Sequence, residues 1–313
     1  MAQSSKAPII IYGSVRSGTT MFRLMLSAHP DLVEIGENQY MIDGLKDPEA
    51  AQLSYDTHWL EHERVFRMRG LTCAPDLDGE AMLEDFLTQL REGREGPLVI
   101  TFHADIAVLE RLFPDARYIH IYRDPRDVAN SATRFGWSGN VYYGSDFWLD
   151  AEASWADIEP ELDPSRYTQV RYEDLVMNAR GELARICEFL ELEFTDEMFG
   201  YAKTSTYDTP DPNLTFQWKR KLTPQQTALV ERRCGPLMDK LGYERAPPDV
   251  KPLGPLGRAY WAAHNKIGKV SAAISFYGLR DYALEKLYRL PGFQAQRQAV
   301  LLSMQDTMNR SLK

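Results

Sequence analysis

The feature that most constrains this 313-residue chain is the stretch PIIIYGSVRSGTT at positions 8–20. Its first five residues form a short apolar, β-branched run, which predicts a buried strand. Residues 13–18 predict a tight turn, and the segment that starts at Thr19 has apolar residues at helical spacing. A strand, a glycine-bounded turn and a helix N-terminus point several backbone N–H groups at one place. The stretch therefore predicts a site for an anion such as phosphate or sulfate.

Side chains of the same turn add to this predicted anion site. Arg16 supplies a positive charge, and Ser17, Thr19 and Thr20 supply hydroxyl donors on either side of Gly18. The glycine spacing matches the nucleotide-triphosphate loop G-x-x-x-x-G-K-[ST], but Thr19 occupies the lysine position. The alternative is an ordinary strand–turn–helix in which the glycine only closes the turn.

Further short apolar strands are predicted at 97–102, 118–122 and 167–171. Helical patterns separate them, and this alternation indicates an α/β fold with a central parallel sheet flanked by helices on both faces. Ligand sites in such sheets lie at the carboxyl ends of the strands. Because 13–18, His103 and Arg123 each follow a predicted strand, we expect them to share one crevice.

The motif RSGTT is followed about a hundred residues later by RDPRDVANS. The two motifs, in this order along the chain, resemble those of sulfotransferases that use 3′-phosphoadenosine 5′-phosphosulfate (PAPS). RSGTT, residues 16–20, resembles the loop that holds the 5′-phosphosulfate. RDPRDVANS resembles the 3′-phosphate motif, which implies that Arg123 and Ser131 bind that phosphate. VRYEDL resembles the segment whose tyrosine, here Tyr172, helps to hold the adenosine.

The resemblance covers about residues 8–244. QWKRKL looks like the late basic loop over the nucleotide, which makes Lys219 and Arg220 candidates, although a short basic run is usually a solvated surface. The family implies a P-loop-like three-layer sandwich and metal-independent transfer of a sulfuryl group to an acceptor hydroxyl, or less favourably an amine. The product of the donor would be 3′-phosphoadenosine 5′-phosphate (PAP). Arg16 matches the loop cation that stabilises the departing diphosphate.

Two residues are candidates for the base that deprotonates the acceptor. His103 follows the strand PLVITF and resembles the catalytic histidine of the K-T-H segment in soluble sulfotransferases, although Thr101 replaces the lysine. Glu37 resembles the base of the protein-tyrosine sulfotransferase branch, whose longer pattern R-x-M-L-x-A-H-P this chain also carries. Glu37 is placed slightly ahead, and one of the two could orient the acceptor while the other accepts the proton.

The charge is unevenly distributed. The net charge is −9, but residues 251–313 contain ten basic and three acidic residues, a charge of +7 that leaves −16 on residues 1–250. The acidic body argues against nucleic-acid binding. Three widely spaced cysteines and no apolar leader or membrane span predict a cytoplasmic protein without disulfides or a metal site.

We predict a sulfotransferase domain at 1–246 and a helical C-terminal extension at 247–313. The extension is expected to pack on the body or on a second subunit of a homodimer. The alternative is peripheral contact between its basic, aromatic surface and a membrane.

The acceptor stays open between a small molecule, a glycan, a lipid and a peptide. A P-loop-type kinase or NTPase and a non-catalytic nucleotide-binding protein are the alternative functions.

Overall fold

The computed structural model describes residues 7–245 and 253–311. The predicted boundary at 246–247 and the first six residues lie outside them. The described chain divides into two compact units, and each is treated by itself below. The first unit contains the residues up to Asp124 together with Phe147–Phe216, and the second contains Pro125–Asp146 and the residues from Gln217 onward.

The first unit is built on one sheet of five parallel strands, in the order β2-β3-β1-β4-β5. The strands are β1 (Ile9–Tyr12), β2 (Val33–Glu37), β3 (Leu98–Phe102), β4 (Arg117–Tyr122) and β5 (Tyr167–Arg171). All residues of β1 and β3 are buried, as expected for strands covered on both faces. The predicted parallel α/β sheet is confirmed.

Helices connect and follow these strands. They are α1 (Thr19–Ser27), α2 (Tyr40–Asp43), α3 (Thr57–Leu60), α4 (Arg64–Met68), α5 (Gly79–Arg91), α6 (Ile106–Leu112), α7 (Pro125–Arg134), α8 (Val141–Gly144), α9 (Asp146–Ile158), α10 (Tyr172–Met177), α11 (Ala179–Leu190), α12 (Tyr201–Thr204), α13 (Trp218–Lys221), α14 (Pro224–Lys240), α15 (Pro255–Tyr277), α16 (Leu279–Leu287) and α17 (Gln294–Ser311). Short 3₁₀ helices lie at Glu159–Glu161, Pro164–Arg166, Asp196–Phe199 and Pro212–Leu214.

Alternation along β1 explains the layered core of the first unit. Ile10 and Tyr12 face one apolar cluster, to which α5 and α9 contribute. Ile9 and Ile11 face the other, to which α1, α10 and α11 contribute. Side chains of a strand point alternately to opposite faces, so a short, wholly apolar strand is stabilised between two helical layers.

Helix α9 is fixed to the sheet by polar contacts as well as by packing. The hydroxyl of Tyr12 donates to the Ala151 carbonyl at 3.1 Å. The Nε2 atom of His120 lies 3.0 Å from Glu152 Oε2, and both side chains are buried. These contacts hold α9 across β1 and β4. Strand β1 is followed by residues 13–18, the predicted anion loop, and β4 is followed by Arg123.

The second unit is helical. Helix α14 packs against α7 and α8, and α15, α16 and α17 contact one another. Helix α14 begins with a capping box in which the side chains of Thr223 and Gln226 each bond the other's backbone N–H. The helical character predicted for the C-terminal region is present. No described helix combines the length and the hydropathy needed to cross a bilayer.

Gly13 provides a direct test of how β1 meets β4. A Cβ atom at this position would lie 2.1 Å from the Ile121 carbonyl oxygen. Because this oxygen is a backbone atom of β4, it cannot move away without disturbing the strand. Gly13→Ala should therefore lower the free energy of unfolding by about 3 kcal/mol, the upper range for overpacking. Urea denaturation followed by circular dichroism measures the free energy of unfolding of the variant and of the wild type.

The control is Gly254→Ala, where a Cβ would meet no atom within 4 Å. It places the poorer N-cap alanine at the start of α15 and should therefore lower stability by at most about 1 kcal/mol, clearly less than Gly13→Ala does. Equal effects of the two substitutions would contradict the close approach.

Candidate active site

The loop after β1 has the backbone that an anion site requires. Gly18 is the N-cap of α1 with φ of 90°, a left-handed conformation that glycine adopts without strain. Arg16 also has a positive φ, 71°, which is uncommon for a residue with a side chain. Ser14 and Ser17 close the turn through a 2.6 Å hydroxyl contact. The free N–H groups of the first helical turn therefore follow directly on the strained arginine.

Tyr172 packs against this loop. A Cβ on Gly18 would lie 2.3 Å from the Tyr172 ring, so the ring occupies the space that only a glycine leaves. The Arg123 guanidinium lies over the same ring, 4.2 Å from its centroid. The structure thus brings together Gly18, Arg123 and Tyr172, three residues that the sequence predicted from separate motifs.

Arg123 is buried and is held by backbone oxygens. Its Nη1 donates to the Arg16 carbonyl at 3.3 Å, and its Nη2 donates to the Leu214 carbonyl at 2.7 Å. The Trp148 indole N–H donates to the carbonyl of Arg123 at 2.8 Å. The guanidinium therefore connects the anion loop with the segment around Leu214, and α9 fixes its backbone.

His103 and Glu37 lie together next to the same loop. The Nδ1 atom of His103 is 2.9 Å from the Gly13 carbonyl, which can only accept a hydrogen bond. In the neutral imidazole, Nδ1 therefore carries the hydrogen and Nε2 has the free lone pair. That Nε2 is 3.9 Å from Glu37 Oε2, beyond direct hydrogen-bond distance. The Thr20 hydroxyl donates to Glu37 Oε1 at 3.4 Å.

Glu37 is an ionised carboxylate in this setting. The interaction with the His103 imidazole outweighs the opposing effect of burial, and with help from Arg23 and Thr20 it lowers the pKa of Glu37 to about 2. The side chain remains 44% exposed, so it is open to a ligand. A strongly acidic carboxyl group is a weak base, and this bears on the choice between the two candidates.

The remaining predicted residues belong to the second unit. Ser131 lies on α7, and Lys219 and Arg220 lie on α13. Asp127 of α7 accepts hydrogen bonds from the backbone N–H groups of Gln217 (3.2 Å) and Trp218 (2.7 Å). The segment QWKRKL is thereby attached to the N-terminal end of the helix that carries Ser131.

The sequence analysis did not identify several residues that contact His103 in the first unit or the segment QWKRKL in the second unit. Gln39 accepts a hydrogen bond from the His103 backbone at 3.1 Å. Arg126, within RDPRDVANS, stacks on the Trp218 ring at 3.7 Å and pairs with Glu231 at 2.5 Å. Arg126 and Asp127 both belong to the motif RDPRDVANS, which the sequence analysis did identify. Their partners at 217–231 lie about a hundred residues further along the chain, and no local sequence pattern indicates these contacts.

The first unit has the architecture of α/β proteins that bind phosphate-bearing ligands: a loop, a helix N-terminus and a buried arginine meet at the carboxyl ends of parallel strands. The sulfotransferase family model matches residues 8–196, which is more than half of the chain. The chain belongs to the sulfotransferase family, and the predicted resemblance is confirmed.

Curated relatives come from bacteria and animals. Omega-hydroxy-beta-dihydromenaquinone-9 sulfotransferase of Mycobacterium tuberculosis is 28% identical over 163 residues, 48% of this chain and 41% of the relative. Protein-tyrosine sulfotransferase A of Caenorhabditis elegans is 28% identical over 206 residues, 61% of this chain and 52% of the relative. The chain thus spans about half the length of these relatives.

Solved structures support the fold. The sulfotransferase domain from the curacin biosynthetic pathway matches with a TM-score of 0.57 and 21% identity, over 77% of this chain and 99% of that domain. The sulfotransferase domain of the Synechococcus olefin synthase matches with a TM-score of 0.55 and 22% identity, over 77% of this chain and 97% of that domain.

The lowered pKa of Glu37 predicts a pH-dependent stability. Unfolding returns the pKa from about 2 to the ordinary 4.5. The contribution of Glu37 is therefore fully present above pH 4.5 and is lost as the pH falls towards 2. Glu37→Gln should unfold at a lower urea concentration than the wild type at pH 7, and the difference should shrink between pH 4.5 and 2.

Glu49→Gln, at an exposed loop position, is the matched control and should show a small difference that is constant with pH. A Glu37→Gln difference that does not change with pH would mean that folding does not lower the pKa of Glu37.

Proposed function

We propose that the chain transfers a sulfuryl group from PAPS to an acceptor hydroxyl. The proposal rests mainly on one observation: Gly18, Arg123 and Tyr172 are in contact at the predicted anion loop. His103 and Glu37 lie next to the same loop. The family membership supports sulfuryl transfer. The kinase alternative is not favoured, since Thr19 stands where a nucleotide-triphosphate loop has its lysine.

The donor set fits a nucleotide with two anionic groups. We assign the 5′-phosphosulfate to the first turn of α1, where Thr19 and Thr20 add hydroxyl donors to the backbone N–H groups. We assign the 3′-phosphate to Arg123 and Ser131, and the adenosine to Tyr172, with Lys219 and Arg220 as further contacts. These assignments rest on the motifs, and for Arg123 and Tyr172 also on their position at the loop.

His103 is the better base of the two candidates. Its Nδ1–H donates to Gly13, which leaves Nε2 as the atom that can take the acceptor proton. The Glu37 carboxylate lies 3.9 Å from this same nitrogen, where its negative charge would stabilise the imidazolium once the proton has been taken. This reverses the order that the sequence patterns favoured, because Glu37 is held ionised and weakly basic.

PAPS supplies an activated sulfuryl group whose transfer has a loose transition state, so positioning and charge stabilisation dominate. As His103 Nε2 removes the hydroxyl proton, the acceptor oxygen forms a bond to sulfur and the bond between sulfur and the phosphate oxygen breaks. Arg16 stabilises the charge that develops on the departing diphosphate. Its permanent charge suits an electrostatic role and not proton donation.

The acceptor is proposed only as a hydroxyl. The names of the two curated relatives specify a hydroxylated dihydromenaquinone and protein tyrosine, which are a lipid alcohol and a peptide phenol. Both classes are compatible with a base that removes a hydroxyl proton, so a lipid and a peptide remain the first acceptors to test.

Calorimetric titration with PAP tests the donor site. PAP should bind without metal and more tightly than AMP or ATP with magnesium. Arg123→Ala should weaken PAP binding by about 10- to 150-fold, equivalent to about 1.5–3 kcal/mol for a charged hydrogen bond, and should weaken AMP binding much less, because AMP has no 3′-phosphate.

Arg117→Ala, at the opposite end of β4, is the matched control and should leave PAP binding unchanged. Tighter binding of ATP with magnesium than of PAP would favour the kinase alternative.

The pH dependence of turnover identifies the base. The substrate for this assay is the best acceptor from a panel of phenols and primary alcohols. The rate is measured between about pH 8 and 5, and an imidazole base makes it fall on acidification because only the neutral ring can accept a proton. His103→Asn, which keeps a donor near Gly13, should lower kcat by about 10²–10⁴-fold without changing the Kd for PAP. Glu37→Gln should have a smaller effect.

A base at Glu37, with its pKa of about 2, would instead give a rate that is constant over this range. A flat profile, together with a larger loss in Glu37→Gln than in His103→Asn, would assign the proton transfer to Glu37.

A further inference from the structure

Strand β2 contains an irregularity directly before Glu37. Ahead of it, Glu34 of β2 pairs with Val99 of β3. After it, Glu37 pairs with Thr101, so that β2 advances by three residues while β3 advances by two. Gly36, inside the irregularity, has a φ of 82°, which departs from the extended backbone of a strand. The strand therefore carries a β-bulge, an extra residue on one of two paired strands.

The bulge decides on which face of the sheet the Glu37 side chain lies. In a regular strand, side chains two residues apart share a face, so Glu37 would lie with Ile35 in the apolar cluster to which α5 and α9 contribute. Glu37 lies instead on the face of α1, since it accepts the Thr20 hydroxyl at 3.4 Å. Glu34 is on the same face, where it pairs with Arg23 of α1 at 3.3 Å. The extra residue thus turns the carboxylate out of the apolar layer and towards the helix that follows the anion loop.

Asn38 holds this bulge in place. Its side chain is completely buried, and its amide donates to the carbonyls of Ile35 at 3.0 Å and of Gly36 at 2.9 Å, the two residues between the register pairs. The amide oxygen accepts the Tyr40 hydroxyl at 2.6 Å. The Asn38 backbone N–H donates to the Thr101 carbonyl at 3.2 Å. Asn38 therefore bonds both carbonyls of the bulge and ties its end to the neighbouring strand.

The next residue of the same segment fixes the backbone of the candidate base. Gln39 Oε1 accepts the backbone N–H of His103 at 3.1 Å. The Glu37 carboxylate and the His103 backbone are thus both placed by three consecutive residues of the chain. The shape of this segment is set by the residue in its middle, Asn38.

We propose that Asn38 is a positioning residue of the candidate active site, which holds the bulge of β2 and thereby directs the Glu37 carboxylate to His103. Its own side chain is buried, so that it reaches neither the donor nor the acceptor and acts through Glu37. The expected effect on turnover rests on the proposed sulfuryl transfer, whereas the effect on the direction of Glu37 does not.

The titration of Glu37 tests the position of its carboxylate without any turnover. The interaction with the His103 imidazole lowers the pKa of this group to about 2, from an ordinary value of 4.5. In Asn38→Ala the carboxylate should turn away from the imidazole, and its pKa should therefore rise towards 4.5. Carbon-13 NMR of the glutamate side-chain carboxyls measures this pKa, and Glu37→Gln identifies the resonance.

A second variant disturbs the same bulge from a different residue. Gly36→Ala puts a side chain at a positive φ, where it is strained, and should also raise the pKa of Glu37. The matched control is Tyr55→Phe, which removes the hydroxyl that donates to the Met41 carbonyl at 3.0 Å in the same apolar cluster. This control should leave the pKa of Glu37 low. Circular dichroism checks that each variant folds.

A double-mutant cycle tests whether Asn38 affects turnover through Glu37. Asn38→Ala should lower kcat by the same factor as Glu37→Gln and should leave the Kd for PAP unchanged. The double variant should be no slower than the slower of the two single variants, because both substitutions remove the same carboxylate from the imidazole.

Two results would overturn the proposal. The first is a pKa of Glu37 that stays at about 2 in both Asn38→Ala and Gly36→Ala. The second is a double variant in which the two losses in kcat multiply, which would mean that Asn38 acts independently of Glu37. A chain that transfers no sulfuryl group would refute the proposed function alone, and the titration would still decide the role of Asn38.

Discussion

The close approach of Gly13 to β4 is the constraint on which the rest of the site depends. Because no side chain separates it from the Ile121 carbonyl, β1 runs tightly beside β4 to its last residue. The Gly13 carbonyl then holds the His103 imidazole, and the loop that follows presents its Arg16 carbonyl to Arg123. A single glycine thus fixes the distance between the anion loop, the candidate base and the buried arginine.

The two candidate bases are better understood as one coupled pair. The Gly13 carbonyl determines which nitrogen of the neutral His103 carries the hydrogen, and the protonated imidazole in turn favours the ionised form of Glu37. A carboxylate held in this form is suited to stabilise a neighbouring cation, whereas an imidazole nitrogen with a free lone pair is suited to accept a proton. The division of roles follows from the hydrogen bonds around the residues more than from the residues themselves.

The two units differ in what their surfaces offer. The first buries its sheet between two apolar layers and leaves a polar cluster at the strand ends. The second contains α15, which is packed on one face and exposes large apolar side chains on the other. The predicted domain boundary at 246–247 stays a prediction. In the division of the chain into compact units, α7 and α8 belong to the same unit as the C-terminal helices. The motif RDPRDVANS is therefore divided, since its first two residues belong to the first unit and the rest belong to the second.

The sequence by itself determined the parallel α/β sheet, the anion loop and most bounds of the strands, because short apolar runs and helical spacing are local signals. It also identified Arg16, Arg123 and Tyr172 through motifs. Only the tertiary structure decided that Tyr172 fills the space beside Gly18 and that His103 presents Nε2. These features depend on contacts between residues far apart in the chain, and on hydrogen bonds to backbone atoms, which carry no signature of residue type.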